Sequence, residues 1–119
     1  MERLKTIQKN NKLNEVYEQR HHQYAIVRSF YPVGEPSYEE TLNVIQFQEG
    51  GRNMEGSTAG VIDTDLLEIV RDRLEYFQAT PFSCRENAIA LTKIEEALMW
   101  LNKRVEDRAE REVLGKDIK

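Results

Sequence analysis

The sequence holds one cysteine, one tryptophan, three prolines and no long apolar run, and each shortage closes off a class of protein. A single cysteine, Cys84, cannot form an internal disulfide, and a reducing compartment is the plain setting for it. No stretch approaches the roughly 20 apolar residues a spanning helix needs, so no membrane segment is expected. The opening MERLKTIQKNNK is polar and lacks the apolar centre of a signal peptide. Positive charge is not in excess: 17 Lys and Arg stand against 21 Asp and Glu, for a net charge of −4. That argues against DNA or general nucleic-acid binding. A small anion remains open as a ligand, because a pocket needs only two or three local cations.

Catalytic signatures are missing as well. There is no HExxH, CxxC, P-loop or GxSxG pattern, and neither a metal nor a cofactor is called for. His21 and His22 are adjacent, and neighbours on a strand point to opposite faces, which suits a shared metal badly. Cys84 lies at a helix start, where a thiolate would be stabilised. It reads either as a nucleophile paired with His21 or His22 or, more plainly, as a small residue of a capping turn. Glu39-Glu40 and Glu95-Glu96 read as solvated faces.

The 119 residues fit a single domain, 1–119, with 39% hydrophobic and 32% charged residues. Residues 1–22 form a polar arm, loosely held or with a short helix around Glu15. Residues 23–48 predict an antiparallel β-ribbon. QYAIVRSFY puts Tyr24, Ile26, Arg28 and Phe30 on one face, PVGEPSYEE supplies turn residues, and TLNVIQFQ is the partner strand. A lone ribbon is marginal in water and must pack on something. Residues 49–62 are loop, with four glycines in EGGRNMEGSTAG. Residues 63–112 predict a helical hairpin. Asp63 or Thr64 caps a first helix carrying Leu66, Leu67, Val70, Leu74 and Phe77 at helical spacing. Thr80-Pro81 stops it. Ser83, with Glu86 three residues on, caps a second helix from Cys84 to Glu112. The fold class is therefore α+β.

The two helices do not match in length, at about 24 and 43 Å. The longer one carries a seam of Leu91, Ile94, Leu98, Leu101 and Val105, with Ile89, Ala90, Ala97, Met99 and Trp100 off that seam. One short helix and one ribbon cannot cover both faces. An intertwined homodimer that assembles further is the economical expectation.

Binding signals outweigh catalytic ones. Ser83, Cys84 and Arg85 would offer backbone N–H groups at the positive end of a helix dipole, a ready place for an anion. Phe82 just before them reads either as a stacking aromatic or as a hydrophobic staple. Asn87, one turn in, could read a polar edge. Arg28 is a phosphate clamp or an ordinary edge-strand charge. Lys103, Arg104, Arg108 and Arg111 mix with Glu106, Asp107 and Glu110, the pattern of a laced solvent face.

The same residues carry a resemblance. GVIDTDLLEIVRDRLEYFQ followed by SCRENAIALTKIEEALMWLNKR, about residues 60–104, resembles the helical hairpin shared by two groups of phage anti-defence sponges, one acting against Thoeris immunity and one against CBASS immunity. The preceding ribbon and the chain length favour the Thoeris type. Many relatives read Ser-Arg-Glu where this chain has an extra residue between Ser83 and Arg85. The resemblance implies a protein that binds, without cleaving it, a cyclic ADP-ribose isomer of either ribose linkage made by a TIR-domain protein, so that the NADase effector stays inactive. It implies action in the cytoplasm of the infected bacterium, ligand pockets where two subunits meet, and a hexamer built as a trimer of dimers. Some relatives also hold cyclic trinucleotides at a second site. On this reading Arg28 and the helix start with Arg85 meet the pyrophosphate. Phe82 and Tyr24 flank the adenine, and Asn87 and Thr92 bond ribose or base. Arg104 and Arg108 belong to the second site. The alternatives are a sponge of CBASS cyclic oligonucleotides only, an enzyme that cleaves a nucleotide signal, or a dimeric adaptor for a host protein.

Overall fold

In the computed structural model, which describes residues 1–110, the chain builds an antiparallel sheet and then a helical hairpin. The strands are β1 (Glu2–Arg3), β2 (Glu15–Arg20), β3 (Gln23–Phe30) and β4 (Tyr38–Gln46), laid side by side in chain order. The helices are α1 (Asp63–Gln78) and α2 (Arg85–Glu110). The end of the expected second helix, with Glu112 and Arg111, lies outside the described residues.

The arm is where expectation and structure part. Glu15 opens a strand, not a helix, and the expected two-stranded ribbon is half of a four-stranded sheet. EVYEQR has only two apolar residues, too few to declare a strand locally. The free edge of β3 decides its conformation, pairing Val16 with Ile26 and Tyr17 with Ala25. His21 and His22 make the turn between β2 and β3, with His22 at φ 69°. Strand β4 starts three residues before the expected Thr41 because cross-strand pairs recruit its first turn-side residues. Phe30 stacks on Tyr38 with centroids 4.8 Å apart, and Arg28 Nε donates to Glu40 Oε2 at 2.7 Å. A bulge near Leu42 absorbs the register shift between Ile26 and Val27.

Helix α1 has the expected length but a different start. Ile62 holds the N-cap position, and its N–H donates to Asp65 Oδ2 at 3.0 Å. This is half of a capping box, since an isoleucine side chain has nothing to give back. Its far end closes through Thr80, whose hydroxyl donates to the Phe77 carbonyl at 2.7 Å. Arg71 reaches Glu95 across the hairpin and Glu75 on its own helix, each at 3.1 Å. The Glu95 hydrogen bond first, and Glu75 second, hold that guanidinium further toward its charged form.

Little of this is buried. Among the described residues the fully buried hydrophobics are Ala25 (1% exposed) and Val27 (4%), both in the middle of the sheet. The radius of gyration is 18.1 Å over extents of 60 × 39 × 21 Å. A compact chain of this length would have about 13.5 Å. The sheet and the hairpin meet only at their junction, and the apolar faces of both stay open.

Candidate functional site at the sheet–helix junction

The junction is set by one tight backbone approach. Beyond β4 the chain loops through residues 49–60 and returns alongside its own strand. The Val61 N–H donates to Gln46 O at 2.9 Å, and the Gln48 N–H donates to Val61 O at 2.8 Å. Gly60 makes this possible: a Cβ there would meet the Gln46 carbonyl oxygen and lie 2.5 Å from the Phe47 carbonyl carbon. The helix therefore starts against the sheet, and two grooves open on either side of the Gln48–Ile62–Asp63 wall.

The first groove, of about 640 Å³, lies over the sheet face. Tyr24, Ile26, Ile45 and Phe47 floor it, with Val16 and Leu66 at its sides. Tyr24 meets Phe47 edge-on at 5.7 Å. The second groove, of about 590 Å³, runs between the returning loop, the start of α1 and the last turns of α2. Arg52, Arg104 and Arg108 line it with Leu101, Val105 and Asp63.

At the far end of the hairpin the start of α2 differs from expectation. Cys84, not Ser83, precedes the first helical residue, and its Sγ accepts from the Asn87 N–H at 3.4 Å. The Gln78 amide clamps Cys84 twice: Oε1 accepts the Cys84 N–H at 3.1 Å, and Nε2 donates to the Cys84 carbonyl at 3.2 Å. The Ser83 N–H is also taken, by Thr80 O at 3.1 Å. The expected trio of open donors thus loses Ser83 and Cys84, and Arg85 begins the free turn. Phe82 is 75% exposed, so it does not staple the helix. The Thr92 hydroxyl donates to the Ala88 carbonyl at 3.2 Å. The residue that looked like an insertion is the N-cap itself, a sulfur analogue of the usual serine.

The residues expected to share a ligand are therefore spread. Tyr24 lies in the first groove, at the start of α1. Phe82, Arg85 and Asn87 lie at its other end, a helix length of about 24 Å away, and Thr92 sits two turns back along α2, beside the second half of α1. Arg28 sits on the outer half of β3, paired with Glu40 and with its Cζ 3.8 Å from the Phe30 centroid. One protomer does not bring these together. It does bring Arg104 and Arg108 together, and adds Arg52. Arg52 and Gln48 carry no signal in the sequence, because a lone arginine in a glycine-rich loop has no periodicity. Cys84 and His22 are likewise at opposite ends of α1, and among the described residues no cluster of His, Cys, Asp or Glu is placed to hold a metal. No helix of the described residues is long and apolar enough to cross a membrane.

These features define a class: a small sheet carrying a two-helix hairpin, with ligand-sized grooves at the junction. Comparison with known families makes it particular. Residues 39–106 match the hairpin domain of the Acb2/Tad1 family, more than half of the chain, and the chain belongs to that family. A curated relative named Thoeris anti-defense 1, from Bacillus phage SBSphiJ7, is 51% identical over 74 residues, 62% of this chain. The match spans about half, 51%, of that relative's length.

Proposed function

We propose that this chain is a phage anti-defence sponge that captures a cyclic ADP-ribose isomer made by Thoeris TIR proteins and does not cleave it. Sequestration keeps the NADase effector from being activated. The observation that carries the reading is membership of the Acb2/Tad1 hairpin family, together with the identity to a Thoeris anti-defence relative. The spread of Tyr24 and Arg28 on one side, and Phe82, Arg85, Asn87 and Thr92 on the other, supports a pocket shared by two protomers. The hairpin end of one copy closes over the sheet of the next, in a homodimer that assembles further into a hexamer. A closed pocket desolvates the phosphates and strengthens each charge-assisted bond. Arg104 and Arg108 form a second site, for cyclic trinucleotides. The protein works in the cytoplasm of the infected host.

Sequestration is mass action: sites must outnumber the signal, and Kd must lie below the level that triggers the effector. The test mixes purified protein with lysate of infected, Thoeris-active cells, washes it, heat-denatures it, and applies the released fraction to the NADase effector. Restored activation with an intact cyclic ADP-ribose mass is expected. A linear product without activation would identify an enzyme instead. Neither signal would leave an adaptor that binds a host protein.

A further inference from the structure

The turn between the two helices is ordered by polar contacts and not by burial. Residues 81–86 are all exposed, and Phe82, the large apolar residue among them, turns 75% of its surface to solvent. The end of α1 supplies what packing does not. The Thr80 hydroxyl donates to the Phe77 carbonyl at 2.7 Å and accepts the Phe82 N–H at 3.2 Å. The Thr80 carbonyl accepts the Ser83 N–H at 3.1 Å. Gln78, the last residue of α1, takes both backbone groups of Cys84: its Oε1 accepts the N–H at 3.1 Å and its Nε2 donates to the carbonyl at 3.2 Å. That same carbonyl accepts the Ala88 N–H at 3.1 Å, and Cys84 Sγ accepts the Asn87 N–H at 3.4 Å. One side-chain amide thus ties the end of one helix to the first turn of the next. Exposed connections are ordinarily the mobile parts of a fold. Ordering one in advance lowers the entropy a ligand must overcome on binding there. This turn presents an aromatic ring, a cation and an amide: Phe82, Arg85 and Asn87.

We propose that Gln78 is a positioning residue for the nucleotide pocket shared between protomers. Its clasp on Cys84 presets Phe82, Arg85 and Asn87 before the ligand arrives. The Gln78 amide is turned to Cys84, so it acts through the turn and not by touching the ligand. This inference rests on the shared-pocket reading above and adds to it the residue that aligns one half of the pocket.

The experiment pairs calorimetric titration of the full chain with 1''-3' glyco-cyclic ADP-ribose and amide hydrogen exchange of the free protein. It compares the wild type, Gln78→Met, and Gln78→Met combined with Cys84→Ser. Methionine keeps the length of the side chain and loses both hydrogen bonds. Exchange at the Cys84 and Asn87 amides should quicken in Gln78→Met, and affinity should fall about tenfold. Serine is a better helix cap than cysteine for the Asn87 N–H, so the double variant should slow that exchange and recover part of the affinity. If Gln78→Met does not fold, Gln78→Asn, one methylene too short to hold Cys84, takes its place with the same expectations. Unchanged exchange, or fast exchange with unchanged affinity, would overturn the positioning role while the pocket reading stands. An affinity loss that Cys84→Ser does not relieve would overturn it too, and would make Gln78 a direct ligand contact. A wild type that takes up no ligand would bring down the shared pocket and this inference together.

Discussion

Cys84 shows how much one side chain decides. A weak sulfur acceptor fills a position where serine is preferred, and the helix starts one residue later than the Ser83–Glu86 pattern suggests. Cys84→Ser should therefore stabilise the protein by about 0.5 kcal/mol, read as a higher urea midpoint at unchanged slope. A lower midpoint would mean that the Gln78 clamp, not the cap, governs this turn. Phe82 is the complementary case. Its exposed ring touches too little for Phe82→Ala to cost more than about 0.5 kcal/mol of stability. As a stacking partner for a base it would be worth about 1–3 kcal/mol of binding. The variant should melt like the wild type and bind the cyclic ADP-ribose isomer at least several-fold more weakly. Parallel melting and titration curves separate these effects, and a lowered melting temperature would show Phe82 to be packing after all.

At the level of elements, legibility tracked how local the cause was. The hairpin was readable because 3.6-residue spacing, a Thr-Pro stop and a polar restart are all short-range signals. Half-buried Leu67, Leu74, Leu91, Ile94 and Leu98 line its inner side as expected, though Val70 does not. Strand β2 was not readable, because Val16 and Tyr17 become a strand only through pairing with residues about ten positions away. The grooves were invisible for the same reason: Val16, Tyr24, Phe47 and Leu66 meet only after the chain returns past Gly60. The scattered ligand set of Tyr24, Arg28, Phe82, Arg85, Asn87 and Thr92 came from residue type and resemblance, and one protomer does not assemble it. Gly60 is thus the hinge on which element placement turns. Gly60→Ala would push a methyl into the backbone at Gln46 and Phe47, an overpacking expected to cost about 1–3 kcal/mol. The denaturation midpoint should fall accordingly. An unchanged midpoint would mean that the returning segment can shift aside, and that the groove walls are not fixed by it.

The whole molecule poses the problem that its parts leave unsolved. Its accessible surface is 9675 Å², against roughly 6,700 Å² for a compact monomer of this mass. The excess, about 3,000 Å², is of the order that an obligate oligomer buries. The open area is also of the right kind. On α2, Met99 is 71% and Trp100 65% exposed, with Ile89 three turns earlier on the same stripe as Trp100, and such aromatic and methionine patches are what interface cores use. If a second copy covers them, stability is linked to concentration, because the folded assembly is favoured by mass action. The melting temperature should rise over a hundredfold increase in protein concentration, and light scattering should give a mass above that of one chain. Trp100→Glu puts an unpaired charge in the covered face and should lower both the mass and the melting temperature, and with them any pocket shared between subunits. A wild type that scatters as a monomer and melts at one temperature throughout would reject the assembly. It would also remove the means by which Tyr24 and Phe82 could reach one ligand.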